Sequence, residues 1–278
     1  MKLNRIMIAA PKSGSGKTTI TCGLLQAFKD AGKNVISYKC GPDYIDPMFH
    51  QKVIDVPAKN LDTFFTDEET TRKLFLKNRK EDELVILEGV MGLFDGLGGI
   101  REEGSSYHLA KVTKTPIILI VDAKGMGRSV ISLIAGFLAY DKAQLIKGVI
   151  LNRMSKSYYE TIKPLIEQEL SITVLGYFPD CKAFHVGSRH LGLLMPDELA
   201  DIREQLHKSS EELQKTVSLE AVIQMAENAE ELETCLVITD EKTFATDEEN
   251  RPVIAVAKDE AFCFYYEENL YLLEKYGA

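Results

Sequence analysis

Short apolar runs alternate with longer amphipathic segments along most of the chain. Residues 5–10, 35–39, 84–90, 117–123, 146–152 and 174–178 are nearly continuous in Val, Ile and Leu. Runs of this length, apolar at consecutive positions, predict strands buried on both faces. Between them, residues 18–31, 67–78, 105–114, 128–142 and 158–170 predict helices. Such alternation implies an α/β domain with a mostly parallel sheet flanked by helices and right-handed crossovers. Ligands of such sheets bind beyond the carboxyl ends of the strands. The chemically distinctive loops of this chain follow strands, as that rule requires.

The pattern changes towards the end. Residues 196–228 are helical in character and polar on one side, closing a predicted domain over 1–228. Residues 229–250 are rich in Asp and Glu and predict an acidic linker. A strand is predicted over 251–257 and a helix over 269–277, stopped by Gly277. One strand and one helix do not make a core. Either residues 251–278 are the truncated start of a second α/β domain, or they are the last strand and helix of the first.

Composition narrows the function classes. The 278 residues are 45% hydrophobic and 27% charged, ordinary for a globular protein. A net charge of −9 argues against non-specific nucleic-acid binding, which needs a basic face. The 5 cysteines, Cys22, Cys40, Cys181, Cys235 and Cys263, form no CxxC pair. A zinc site or disulfide framework is not expected. Met1-Lys2-Leu3-Asn4-Arg5 leads straight into an apolar strand, so no signal peptide is read. No apolar run approaches the roughly 20 residues of a membrane span. A cytoplasmic protein without a membrane partner is the expectation.

The first strand is followed by Ala10-Pro11-Lys12-Ser13-Gly14-Ser15-Gly16-Lys17-Thr18-Thr19, then a helix. The Gly-Lys-Thr ending and the strand-loop-helix setting are those of a P-loop. Gly14 and Gly16 let the backbone approach phosphate oxygens, and the helix N-terminus adds positive potential. Gly14, Ser15, Gly16, Lys17, Thr18 and Thr19 are the candidate ATP-binding residues. Lys17 would reach the β- and γ-phosphates, and the Thr18 hydroxyl would ligate Mg²⁺. Pro11 stands where the GxxxxGK[ST] pattern has its first glycine. Lys12 is either a solvated lysine or the second lysine of the deviant P-loop class, which contacts phosphates of a partner subunit. That class keeps a homodimer open.

Two further loops place carboxylates beside glycines past buried strands. One is Lys39-Cys40-Gly41-Pro42-Asp43-Tyr44-Ile45-Asp46-Pro47, the other Glu88-Gly89-Val90-Met91-Gly92-Leu93-Phe94-Asp95-Gly96. Asp43 or Asp46 would either cap a helix or serve a magnesium site. Glu88 is the stronger candidate, because a carboxylate ending so apolar a strand is costly unless it meets a cation or hydrogen-bond donors. Asp95 lies in a glycine-rich segment and is expected to face a substrate.

Gly41–Pro47 and Glu88–Gly96, with Arg189-His190-Leu191-Gly192-Leu193 and Asp259-Glu260-Ala261-Phe262-Cys263-Phe264-Tyr265-Tyr266, resemble the cobyrinic acid a,c-diamide synthases. Dethiobiotin synthetase is among their wider relatives. The resemblance runs from Ile6 to Ala278 and implies a dethiobiotin synthetase-like P-loop NTPase fold. It implies ATP- and Mg²⁺-dependent amidation of the a and c acetates of a corrinoid in cobalamin biosynthesis. The route would be an acyl phosphate, with ammonia delivered from glutamine. Residue by residue it implies Thr18 and Glu88 as Mg²⁺ ligands, with Asp43 as a third. Lys17 and Asp43 would act in catalysis, Tyr44 and Asp95 would orient the substrate, and Asn152 would read the adenine edge. The residue-level reading of Asn152 as a strand-end turn stays open. Arg189 and His190 would either meet the substrate's carboxylates or form a surface pair. Ser188 stands where relatives have Glu.

Family members continue into a glutamine amidotransferase domain with a nucleophilic cysteine. Cys263 does not match that motif, so glutaminase activity is not expected of this chain. Cobyrinic acid, hydrogenobyrinic acid and nickel-sirohydrochlorin all present suitable acetates. A different class, a deviant P-loop ATPase acting as a nucleotide-dependent dimeric switch, would need no small acid. A remnant that only binds nucleotide is a third.

Overall fold

The computed structural model describes residues 1–77, 79–180, 196–233, 252–259, 262 and 264–278. Its centre is a seven-stranded sheet with the order β3-β2-β4-β1-β5-β6-β7. The strands are β1 (Asn4–Ala9), β2 (Val35–Cys40), β3 (Ala58–Leu61), β4 (Leu84–Glu88), β5 (Ile117–Asp122), β6 (Ile146–Asn152) and β7 (Thr173–Phe178). Each adjacent pair is parallel. The predicted α/β architecture is observed.

Burial explains why continuous apolar runs became strands. Along β1, Met7 and Ala9 face one core, while Ile6, Ile8 and the adjoining Ala10 face the other. Side chains alternate across a strand, so a strand covered on both faces needs apolar residues at every position. One core is covered by α3 (Glu68–Leu76), α4 (Ser106–Val112), α5 (Ser129–Tyr140) and α6 (Lys156–Leu170). The other is covered by α1 (Lys17–Asp30), α7 (Pro196–Thr216) and α8 (Leu219–Glu227). In α1, Ile20, Leu24 and Phe28 recur at helical spacing and are fully buried. The Asp67 and Ser105 side chains cap α3 and α4 by accepting from the Thr70 and His108 N–H groups.

Three departures from the sequence reading matter. β3 was not expected; it is a four-residue edge strand, Ala-Lys-Asn-Leu, with a half-exposed middle. The loop after β2 contains α2 (Ile45–Phe49), which passes into a π-helical turn, His50–Ile54. Of the strand predicted over 251–257, none is formed among the described residues 252–257. Residues 252–258 have no sheet pairing, and Val253 is 95% exposed. Apolar sequence makes a strand only where a neighbouring edge accepts its backbone groups, and none among the described residues meets this segment.

Residues 229–233, where the acidic linker was expected to begin, pack against the start of β1. The Arg5 guanidinium is buried and donates to the carbonyls of Leu3, Thr113, Lys114 and Glu230. The Met1 ammonium donates to Leu232 O. Further on, α9 (Glu267–Lys275) and the residues before it lie near the loop after β2. Tyr266 and Phe264 pack on Tyr44, and Glu268 pairs with Lys59 at 2.7 Å. Most of the predicted linker, together with Ser188, Arg189, His190, Cys181, Cys235 and Cys263, lies outside the described residues.

Candidate active site

The loop between β1 and α1 is shaped as expected for a phosphate cradle. Gly14 and Gly16 have φ of +76° and +93°, in the left-handed region that glycine enters without penalty. The first N–H groups of α1 have no partner within the helix and are available to an anion. The loop's carbonyls are held from behind. Asn152, ending β6, donates from Nδ2 to Ser15 O at 2.8 Å, and Arg153 donates from Nη2 to Gly14 O at 3.0 Å. Arg153 is itself fixed by Asp122 at the end of β5, through Nε at 2.8 Å and through Nη2. A side chain at position 16 would collide with Asn152, so the glycine is needed for close approach as well as for its φ.

This loop forms one wall of a cavity of about 590 Å³ at the carboxyl ends of the strands. Ser13, Gly14, Gly16, Lys17, Thr18 and Thr19 line that wall. Lys39, Asp43 and Asp46 line a second, and Asn152, Arg153, Phe178 and Pro179 a third. Lys17 Nζ donates to the carbonyl of Met91, a residue with φ +47° in the loop after β4. Burial, with the charge of Lys39, lowers the Lys17 pKa to about 8 against the opposing pull of Glu88 and Asp95.

A buried group of opposite charges lies beside Lys17. Lys39, near the end of β2, is 4% exposed. Its Nζ lies 2.5 Å from Asp46 Oδ2, 3.0 Å from Glu88 Oε1 and 3.8 Å from Asp43 Oδ2. Lys39 and Glu88 meet because β2 and β4 are paired with these two residues in register. Glu88 Oε1 also accepts from Thr18 Oγ1 at 2.6 Å. Burial alone would raise the Glu88 pKa, but Lys39, His50 and the Thr18 hydroxyl outweigh it, and the carboxylate is held below its ordinary range. His50 is fully buried. Its Nδ1 is 2.9 Å from Ser37 Oγ and its Nε2 is 3.5 Å from Glu88 Oε2. Burial, aided by Lys39, lowers its pKa to about 4, so the ring is neutral at pH 7.

The expected residues fall in distinct places. Thr18, Glu88 and Lys17 come together as the sequence suggested. Asp43 lines the cavity, and its Oδ1 also accepts from the N–H groups of Ile45 and Asp46 at the start of α2. Capping and site-facing roles therefore coexist in it. Asp95 is turned on its own loop, with Oδ2 accepting from Gly92 N–H at 2.9 Å. Tyr44 does not line the main cavity; it stacks on Tyr266 and borders a second cavity of about 350 Å³. Lys12 is exposed and is not among the residues lining the main cavity. Lys39, His50, Ser37 and Arg153 had no role in the sequence reading. A lysine near a strand end does not by itself distinguish a buried ion pair from a group reaching for water, so the sequence carried no signal for Lys39.

The donor set suits a hard cation. Mg²⁺ prefers oxygen ligands and is held by one or two carboxylates plus substrate phosphates. Among the described residues no cluster of three His, Cys, Asp or Glu side chains encloses a metal by itself. A hydroxyl and a carboxylate on the phosphate side, Thr18 and Glu88, fit a shared site of that kind, and Asp43 and Asp46 line the same cavity.

A parallel sheet, a phosphate-cradling loop opening a helix, and a buried carboxylate on the neighbouring strand define a P-loop nucleotide-binding protein. Residues 6–193 match the CobQ/CobB/MinD/ParA nucleotide binding domain, and the chain belongs to that family. Curated relatives named cobyrinate a,c-diamide synthase include that of Listeria innocua serovar 6a, 39% identical over 99% of this chain and 60% of the relative. The one from Clostridium tetani is 38% identical over the same shares. The one from Thermoplasma acidophilum is 37% identical over 100% of this chain and 61% of the relative. The chain thus spans about 60% of the length of the first two. Among solved structures, chloroplast FtsY from Physcomitrella patens superposes with a TM-score of 0.46 at 15% identity. That superposition covers 74% of this chain and 66% of the other, a likeness too slight to carry weight. No helix among the described residues is long and apolar enough to cross a membrane.

Proposed function

We propose that this chain performs ATP-dependent amidation of the a and c acetates of a corrinoid, as the ligase part of a cobyrinic acid a,c-diamide synthase. The observation that carries this reading is the buried Lys39–Asp46–Glu88 group, joined by the Thr18 hydroxyl and set against the phosphate loop and Lys17 in one cavity. Two ammonium groups there face the place where a γ-phosphate and an incoming carboxylate would meet. Phosphoryl transfer needs mostly positioning and charge stabilisation, which such a pair supplies.

In the proposed reaction a carboxylate oxygen of the acetate attacks the γ-phosphorus. The bond to the β–γ bridging oxygen breaks, ADP leaves, and a mixed acyl phosphate forms. Ammonia adds to the acyl carbon, inorganic phosphate is expelled, and the nitrogen gives up its extra proton. Lys17 neutralises the transferring group. Lys39 balances Glu88 and Asp46 and meets the acceptor carboxylate. Thr18, Glu88 and Asp43 would hold Mg²⁺, which would supply further charge neutralisation to the transferring phosphoryl group. Asn152 and Arg153 border the end of the cavity where the adenine would lie. Tyr44 and Asp95 belong to the loops on the substrate side.

The relatives' greater length supports a reading in which residues 251–278 begin a glutamine amidotransferase-like domain that delivers ammonia. The test is ATP hydrolysis driven by ammonia, assayed with cobyrinic acid, hydrogenobyrinic acid and nickel-sirohydrochlorin in turn. Turnover should depend on one of these acids. Hydrolysis that proceeds at one rate with or without each of them overturns the proposal and favours a nucleotide switch.

A further inference from the structure

We propose that His50 is a positioning residue for Glu88. Its Nε2–H, aimed at Glu88 Oε2, holds that oxygen inward so that Oε1 faces Thr18 and the phosphate side of the cavity. The inference rests on the reading of Glu88 as a magnesium ligand.

His50 stands where α2 gives way to the π-helical turn, with a polar neighbour at each ring nitrogen. Nδ1 lies 2.9 Å from Ser37 Oγ on β2, and Nε2 lies 3.5 Å from Glu88 Oε2 at the end of β4. These strands are neighbours in register, with Ser37 opposite Ile86 and Lys39 opposite Glu88, so the backbone sets the spacing of the two groups that flank the ring. A hydroxyl can donate or accept, whereas an ionised carboxylate can only accept. The ring hydrogen therefore belongs on Nε2, and Nδ1 accepts from Ser37.

Nε2 and Oε2 are both buried, and neither has a hydrogen-bond partner among the described residues. Buried polar atoms are seldom left so, and an approach of a few tenths of an ångström would satisfy both at once. Glu88 Oε1 is already engaged by Thr18 and Lys39. The two oxygens are thus divided between an inward partner and the nucleotide side. π-Helical turns recur at functional sites, where the extra residue redirects a side chain. Here the turn begins at the ring in question. A histidine that merely filled space would not need a donor at the Nε2 position.

The test uses the full chain, with Mn²⁺ as the probe and ADP present. Free Mn²⁺ is followed by electron paramagnetic resonance. Outer partners of metal ligands typically affect metal affinity by about 10–100-fold. His50→Asn cannot reach Glu88 and should weaken Mn²⁺ binding by about tenfold or more. His50→Gln places an amide N–H near the Nε2 position and should recover most of the affinity. ADP binding in EDTA should be unchanged in both. Ser37→Ala, which frees one end of the ring, should weaken Mn²⁺ in the same direction, and it provides the test if His50→Asn does not fold. Equal effects of Asn and Gln, or unchanged Mn²⁺ affinity in Ser37→Ala, overturn the role of His50. If Glu88→Gln itself leaves Mn²⁺ binding unchanged, the reading of Glu88 fails, and the failure lies there.

Discussion

Replacing Lys39 with Met keeps most of the side chain's volume and removes its charge. Glu88 is fully buried and Asp46 is 5% exposed, and Lys39 lies within hydrogen-bond distance of both. Removing one partner of a buried ion pair costs about 3–5 kcal/mol, because the remaining charge stays desolvated and unpaired. In the unmodified chain Glu88 is held below its unfolded pKa, so its contribution to stability is present above that value and is lost as pH falls through the folded pKa. In Lys39→Met, burial acts on Glu88 with its largest opponent removed, and protonation relieves the strain. The loss of stability should therefore be largest near pH 8 and should narrow as pH falls towards about 5. The chain has no tryptophan, so urea unfolding is best followed by circular dichroism at both pH values. An equal loss at the two pH values, or none at pH 8, would refute the pairing described here.

Four further outcomes follow from the same geometry. The Lys17 pKa of about 8 lies below its unfolded value, so the free ammonium is partly deprotonated at pH 8. Nucleotide phosphates should recharge it, and calorimetry in buffers of different ionisation enthalpy should show proton uptake at pH 8 that fades by about pH 6.5. Arg5→Met leaves the carbonyls of Leu3 and Thr113, in buried bonds, and of Lys114 and Glu230, in partly buried ones, without this donor, and it should lower unfolding stability by on the order of 3 kcal/mol. Tyr44→Ala removes the stacking partner of Tyr266 and should make residues 252–266 more readily cleaved in limited proteolysis. Asp95→Asn should spare ATP binding, measured by calorimetry, while lowering tetrapyrrole-dependent turnover.

The phosphate loop and Glu88 were legible because each is local. Glycine, lysine and threonine at fixed spacing between strand and helix carry their own geometry, and a carboxylate ending an apolar strand signals a cost that something must offset. Lys39 gave no such signal. A lysine at a strand end reads equally as a group reaching for water, and its partner Glu88 lies on a strand 49 residues away. Asp46 and His50 are aimed inward by a five-residue helix and a five-residue π turn, too short to leave a periodic pattern. The failed strand over 251–257 teaches the converse. Its composition is right, but pairing is a property of the surroundings, and Val253 remains 95% exposed.

The proposed mechanism requires that an oxygen of the substrate's carboxylate end in the released phosphate. A tetrapyrrole acid labelled with ¹⁸O in its acetates, turned over with ATP and ammonia, tests this by mass spectrometry of the phosphate. One ¹⁸O per amide formed is the result expected of a carboxylate attacking the γ-phosphate in this cavity. Unlabelled phosphate accompanying amide formation would contradict it.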